Sequence, residues 1–254
     1  MKNLKKFSYF ILFSIVLSHP VLAEVHEQHI FAAASVKRGL QNVLKNYSKK
    51  ARVSYASSGA VARQINRGAP ANIFISAHES WINWLIEKGD IVKKNIFPLM
   101  ETKLVIAKNK KAYHIIGHLP EKIFLTLRNN DFVSTGDPAH VPLGQYSRAA
   151  LKNADVWDLV RTRIAPMQNA QAATKLVVSG ATPIGILYKA DLIGLDNLEI
   201  LHEFPIEISP RIRYFIAKIQ KNSTANTEEL LSYLRSSAAT SIWEQNGFLR
   251  PQIK

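Results

Sequence analysis

Two short apolar runs in this chain each end in serine and pass at once into a helical pattern. The first is Phe31-Ala32-Ala33-Ala34-Ser35; the second, about twenty residues on, is Ser54-Tyr55-Ala56-Ser57-Ser58-Gly59. Val36, Leu40, Val43, Leu44 and Tyr47 follow the first serine at the spacing of one helix face. Val61 and Ile65 follow the second, with Arg67-Gly68 as a stop. Each serine therefore stands at a strand-to-helix corner, its hydroxyl beside the unpaired N–H groups of a helix start. Such a corner is suited to an anion. Serine is also a favoured N-cap wherever a helix begins, so capping alone is a second reading. The small neighbours Ala32 to Ala34 and Gly59-Ala60 let backbone approach a ligand closely, and equally allow tight packing.

The same alternation continues along the chain. Strands are predicted at residues 29–33, 53–56, 73–76, 103–107, 123–126, 132–135 and 183–188, and across the long apolar run 213–219. Helices are predicted from Val36, from Gly59, over 79–88, from Gln145 to Asn153 and over 170–179. The tail adds a helix opening on the capping-box-like Asn226-Thr227-Glu228-Glu229 and another over 237–246, stopped by Gly247. Alternating strands and helices imply parallel sheets with helices on both faces. Ligands of such sheets bind outside the carboxyl ends of the strands, where Ser35 and Ser58 fall.

Residues 1–23 read as a secretory signal: basic Lys2, Lys5 and Lys6, an apolar core from Phe7 to Leu17, and Val21-Leu22-Ala23 as the cleavage site. The core is short for a membrane span, so the chain is expected in the periplasm, beginning near Glu24. Of 33 lysines and arginines, three lie in that leader, leaving 30 against 19 acidic residues and a net charge of +11. These cations are scattered, without a long basic run, zinc-finger spacing or RNA-binding aromatic motif. They read as a solvated surface that helps attract anions, not as a nucleic-acid face. The absence of cysteine excludes thiol catalysis and Cys metal sites, and the eight histidines include no His-Glu-x-x-His.

A third segment, Gly136-Asp137-Pro138-Ala139-His140-Val141-Pro142-Leu143-Gly144-Gln145-Tyr146, joins the serine corners, Ala62-Arg63-Gln64-Ile65, the run from Gly68 through Ala77, and Pro183-Ile184-Gly185-Ile186-Leu187-Tyr188. Together, over residues 28–250, these resemble the periplasmic molybdate-binding proteins of ABC importers, the ModA family. The resemblance implies an α/β, two-lobed solute-binding fold of type II-like architecture, with parallel-rich sheets flanked by helices and the ligand between the lobes. It implies lobe I from 24–103 and 214–254, lobe II from 104–213, and crossovers near 103–107 and 213–217. It further implies a molybdate or tungstate ligand held by hydrogen bonds alone, with no cofactor and no direct protein ligand to molybdenum. The partners implied are the membrane permease subunits of an importer, with the chain acting as a monomer.

Carried over by motif, Ser35 and Ser58 supply hydroxyl and backbone donors, Leu143 and Ala170 backbone N–H groups, and Tyr188 its phenol. The chain departs from the family pattern at Gly59, where a third serine is common, at Asn72 and His78, where aspartates are familiar, and at Gln171-Ala172. Leu143 is bulkier than the residue usual at its position, and so is expected to narrow the cleft. Sulfate or phosphate is the alternative ligand. A secreted serine hydrolase is the more distant reading, for which Gly-x-Ser-x-Gly and Ser-x-x-Lys are both missing.

Overall fold

The first strand, β1 (Gln28–Ala33), is buried along almost its whole length, as an apolar run in the middle of a two-sided sheet must be. It lies between β2 (Ala51–Ala56) and β3 (Ile73–Ser76), parallel to both. Ile30, Ala32, Ile73 and Ile75 pack on one face of this sheet with Leu40 and Val43 of α1 (Lys37–Leu44). The residues between them, Phe31 and Phe74, pack on the other face with Val61 and Ile65 of α2 (Ser58–Asn66) and Ile82 and Leu85 of α3 (Glu79–Glu87). Side chains of successive strand residues point to opposite faces, and here both faces are covered by helices.

The chain then runs β4 (Ile96–Thr102), β5 (Leu104–Asn109), α4 (Pro120–Leu125), β6 (Val133–Gly136), α5 (Pro142–Asn153), α6 (Trp157–Val160), β7 (Ile164–Met167), α7 (Ala170–Ser179), β8 (Ile184–Tyr188), β9 (Leu198–Glu203), β10 (Ile212–Lys218), α8 (Ala225–Leu234) and α9 (Ser237–Gln245). The computed structural model describes residues 27–252; the expected leader and its cleavage point lie outside the described residues. Two five-stranded sheets result, ordered β2-β1-β3-β10-β4 and β7-β6-β8-β5-β9. The chain passes from the first sheet to the second at Lys103 and returns over residues 204–211, so the fold has two lobes joined by two crossings. No helix among the described residues is long and apolar enough to cross a membrane.

The sheets are parallel-rich, as the resemblance implied, and mixed rather than wholly parallel as alternation alone suggested. In each, four strands run one way and one runs against them: β10 lies antiparallel between β3 and β4, and β5 between β8 and β9. The strand expected at 123–126 is instead the helix α4. Proline suits the first turn of a helix, and the buried residues Pro120, Ile123 and Phe124 recur at helical rather than alternating spacing while Leu125 faces solvent. The capping box of α8 sits earlier than expected, between Thr224 and Thr227. The helix expected from Gln145 starts at Pro142, for the same reason as α4. The strand expected at 103–107 is interrupted at Lys103, the point where the chain leaves one sheet for the other. Strands β4, β7 and β9 and the helix α6 lie outside the elements expected.

Candidate functional site

The six strands that pair in parallel end at one place. In the first sheet β1, β2 and β3 share a direction, so their carboxyl ends form a single edge; β6, β7 and β8 do the same in the second. The two edges face one small cavity. It is lined by Ala33, Ala34 and Ser35 after β1, Ser57 and Ser58 after β2, and Ala77 after β3. The second lobe contributes Val141, Pro142 and Leu143 after β6, Asn169 and Ala170 after β7, and Tyr188 at the end of β8. Its volume is about 10 Å³, about the least that holds one water and far below the roughly 300–1,000 Å³ of pockets for organic ligands. The five residues singled out in the sequence, Ser35, Ser58, Leu143, Ala170 and Tyr188, all line it.

Neither serine is a helix cap. Ser57 caps α2, its side chain accepting from the Ala60 N–H. Ser58, the first helical residue, is left with a different partner: its Oγ accepts from the Ala77 N–H at 3.0 Å. Ser35 sits in a single 3-10 turn ahead of α1, and its Oγ accepts from the Tyr214 hydroxyl at 2.9 Å. Each serine thus receives one hydrogen bond from the protein and retains its own proton as a donor.

The second lobe offers donors of another kind. Pro142, the first residue of α5, has no N–H, so the first N–H of that helix belongs to Leu143; helix geometry gives it no partner within the helix. The start of α5 approaches the end of β6 so closely that a Cβ on Gly144 would lie 2.1 Å from the Gly136 carbonyl oxygen. Leu143 is fully buried, belongs to the hydrophobic core and at the same time lines the cavity. Asn169 caps α7 by accepting from the Ala172 N–H at 2.9 Å, which leaves the Ala170 N–H at the helix mouth.

Tyr188 completes the wall. Its Oη is buried and has no hydrogen-bond partner among the described residues. Burial pushes its phenol well above 10, with the neighbouring Tyr214 and Tyr146 adding to the shift. The group is therefore a neutral hydroxyl, able to donate. Among the described residues, no charged side chain lines the cavity. Arg63, Asp137 and His140 line an adjoining space. Arg38 of α1 donates to the Ala190 carbonyl of the other lobe at 2.9 Å, also outside the cavity.

The departures from the family pattern have local reasons. A Cβ on Gly59 would lie 2.5 Å from the Trp81 indole, so a serine there requires that ring to move. Asn72 ties the β1 edge by accepting from the His29 N–H and donating to the Asn222 carbonyl. His78 caps α3, accepts from the Ser80 N–H and packs on Tyr146 at 4.9 Å; its imidazole is lowered by burial, against the opposing influence of Glu79. Gln171 lines a neighbouring cavity. Sequence reasoning missed Asn169, which an asparagine directly before a helical pattern signals as an N-cap. It also missed Ala77, whose N–H bonds Ser58, and Tyr214, 179 residues from the serine it bonds.

A model of the bacterial extracellular solute-binding proteins matches residues 29–249. The molybdate-binding protein ModA of Haemophilus influenzae is 34% identical over 225 residues, which are 86% of this chain and 88% of that protein. ModA of Escherichia coli is 29% identical over 240 residues, 92% and 93% of the two chains. The structure of the periplasmic molybdate-binding protein of Azotobacter vinelandii superimposes with a TM-score of 0.77 at 23% identity, covering 89% of this chain and all of that one. On these matches the chain belongs to the bacterial extracellular solute-binding proteins, and within them to the ModA group.

Proposed function

We propose that this protein captures molybdate, and also tungstate, in the cavity between its lobes and delivers it to the membrane permease subunits of an ABC importer. The observation that carries this reading is the Tyr188 hydroxyl, buried and unpartnered in a cavity otherwise walled by donors. Ser35 and Ser58 contribute hydroxyls, Leu143 and Ala170 backbone N–H groups, and Tyr188 its phenol. Each hydrogen bond to a charged partner is worth about 1.5–3 kcal/mol, so five fixed donors hold a small dianion firmly without a cation.

The donor set favours a fully ionised oxyanion. A hydrogen phosphate ion carries a proton that needs an acceptor, and no carboxylate lines the cavity. Sulfate is the alternative that survives this argument, and it is discriminated by size: donors spaced for a larger ion leave bonds to a smaller one long. The serines are read as binding groups, not nucleophiles, because the partners of their Oγ atoms are the Tyr214 hydroxyl and the Ala77 N–H. A serine nucleophile needs a base to take its proton.

The remaining parts of the reading follow from export and from the fold. The leader is cleaved near Ala23, and the protein works in the periplasm as a monomer. The lobes, 24–103 with 214–254 and 104–213, part and close about the two crossings as a hinge. Calorimetric titration of the mature protein with molybdate, tungstate, sulfate and phosphate tests the proposal. One tetrahedral dianion bound per chain, with molybdate and tungstate tightest, is expected. Absence of molybdate binding at micromolar protein, or tighter sulfate binding, overturns it.

A further inference from the structure

We propose that Tyr214 is a positioning residue for oxyanion capture, acting through Ser35. The inference rests on the oxyanion reading above and extends it to a residue that does not line the cavity.

Tyr214 lies on β10, opposite Met100 of β4, and the pairing register slips immediately after it, from Tyr214 with Met100 to Phe215 with Pro98. Such an irregularity bends a strand and re-aims its side chains. The ring is fully buried. Phe248 meets it edge-on at 5.5 Å and Tyr188 at 6.2 Å, so packing holds the hydroxyl in one place.

That hydroxyl donates to Ser35 Oγ at 2.9 Å within a buried pair. Ser35 stands in a 3-10 turn whose start has no side-chain cap, and a free serine hydroxyl rotates among staggered positions. With one lone pair taken by Tyr214, the serine proton is kept out of that direction and remains to be donated elsewhere, the cavity included. Donation into Oγ also polarises the serine O–H and strengthens the bond it makes onward. Ser58 has the same arrangement with a backbone donor, the Ala77 N–H. The fold thus prepares both serines from behind, once with main chain and once with a side chain brought back from the far end of the sequence. Tyr214 further contacts Tyr188, the donor of the opposite lobe, so one ring backs a donor on each side of the cleft.

A double-mutant cycle tests the role. Molybdate is titrated calorimetrically into wild type, Tyr214→Phe, Ser35→Ala and the double variant, each checked by thermal unfolding without ligand. Tyr214→Phe keeps the ring and is expected to weaken binding by roughly two- to tenfold, the worth of one neutral hydrogen bond. In the Ser35→Ala background the same substitution is expected to change affinity by less than about twofold, because the group through which it acts is gone. Equal losses in both backgrounds, or no loss in wild type, overturn the proposal. Phe248→Leu loosens the ring packing and leaves the hydroxyl, so a loss there as large as that of Tyr214→Phe assigns the effect to packing and likewise overturns it. A wild type that binds molybdate with no coupling in the cycle refutes Tyr214 alone; a wild type that binds no molybdate refutes the oxyanion reading itself.

Discussion

Replacing Tyr188 with phenylalanine is expected to move stability and binding in opposite directions. The Tyr188 Oη is buried without a partner, and an unsatisfied buried polar group costs about 1–3 kcal/mol. Phenylalanine keeps the ring, which is only 1% exposed and meets Tyr214 edge-on at 6.2 Å. The substitution therefore removes the unsatisfied hydroxyl and leaves a gap of one oxygen atom, whose lost contacts cancel part of the gain. A net stabilisation of about 1 kcal/mol in the ligand-free protein follows, or about 2–4 °C in thermal midpoint for a chain of this length. With molybdate bound the sign reverses. The hydroxyl then donates to a charged oxygen, a bond worth about 1.5–3 kcal/mol, and its loss raises Kd by about ten- to a hundredfold.

Thermal unfolding of both proteins with and without saturating molybdate, together with calorimetric titration, measures both effects. A raised midpoint without ligand and a reduced ligand-induced shift are expected. A variant that is less stable without ligand and binds molybdate as wild type does would refute the reasoning, since the hydroxyl would then serve the protein and not a solute.

Ser58→Ala is expected to weaken molybdate binding by about ten- to a hundredfold and also to lower stability, because the buried Ala77 N–H loses its acceptor; titration and thermal unfolding read the two effects. Gly144→Ala is expected to abolish tight binding and destabilise the second lobe, its Cβ meeting the Gly136 carbonyl oxygen at 2.1 Å; overpacking costs about 1–3 kcal/mol or more, and a melt near that of wild type would contradict it. Affinity is expected to vary little from about pH 6 to 9, because the contact groups are amides, serines and a phenol that burial holds well above 10; a loss centred near pH 6.5 in titrations across that range would point to a histidine. Burial pushes the Asp191 carboxyl up to about 7 from 3.8, against the pull of Arg38, so the folded state binds more protons than the unfolded one between those values and stability falls as pH rises through them. Asp191→Asn is therefore expected to raise the thermal midpoint at pH 8 and leave it nearly unchanged at pH 4, as melts at the two values will show.

What could be read in the sequence divides by range. Ser35 and Ser58 were legible because a corner is local: a strand pattern, a small residue and a helix pattern within ten residues fix where the serine stands. Leu143 and Ala170 were legible only through the surrounding motif, since a backbone donor leaves no trace in its own side chain. The sequence did not separate Ser57 from Ser58 as the cap of α2, because either hydroxyl can cap and only the Ala77 N–H decides between them. Alternation suggested parallel sheets, yet β10 enters the first sheet from the far end of the chain and runs against β3. A run of apolar residues does not carry the direction of a partner more than a hundred residues away. Tyr214 was hidden for the same reason. The helix α4 was misread because four apolar-rich residues fit either period, and Pro120, just ahead of them, was the better guide.

On the proposed reading, the cavity owes its selectivity to the rigidity of its parts. Four of the five proposed donors are tied to a strand end or a helix start whose position the sheets determine: Ser58 by Ala77, Ser35 by Tyr214, Leu143 by the contact of α5 with Gly136, Ala170 by the Asn169 cap. Fixed dipoles stabilise a buried charge without reorganising, and they do so only at the distances the backbone sets. A lysine or arginine in their place would attract any anion and, on a long flexible stem, would follow a smaller ion inward. Neutral donors seated on strand ends and helix starts cannot follow, so on the proposed reading ions of equal charge and shape are told apart by radius. The same neutrality serves release. Once the lobes part, the donors of each half lose their counterparts, and the ion leaves no buried cation behind to hold it.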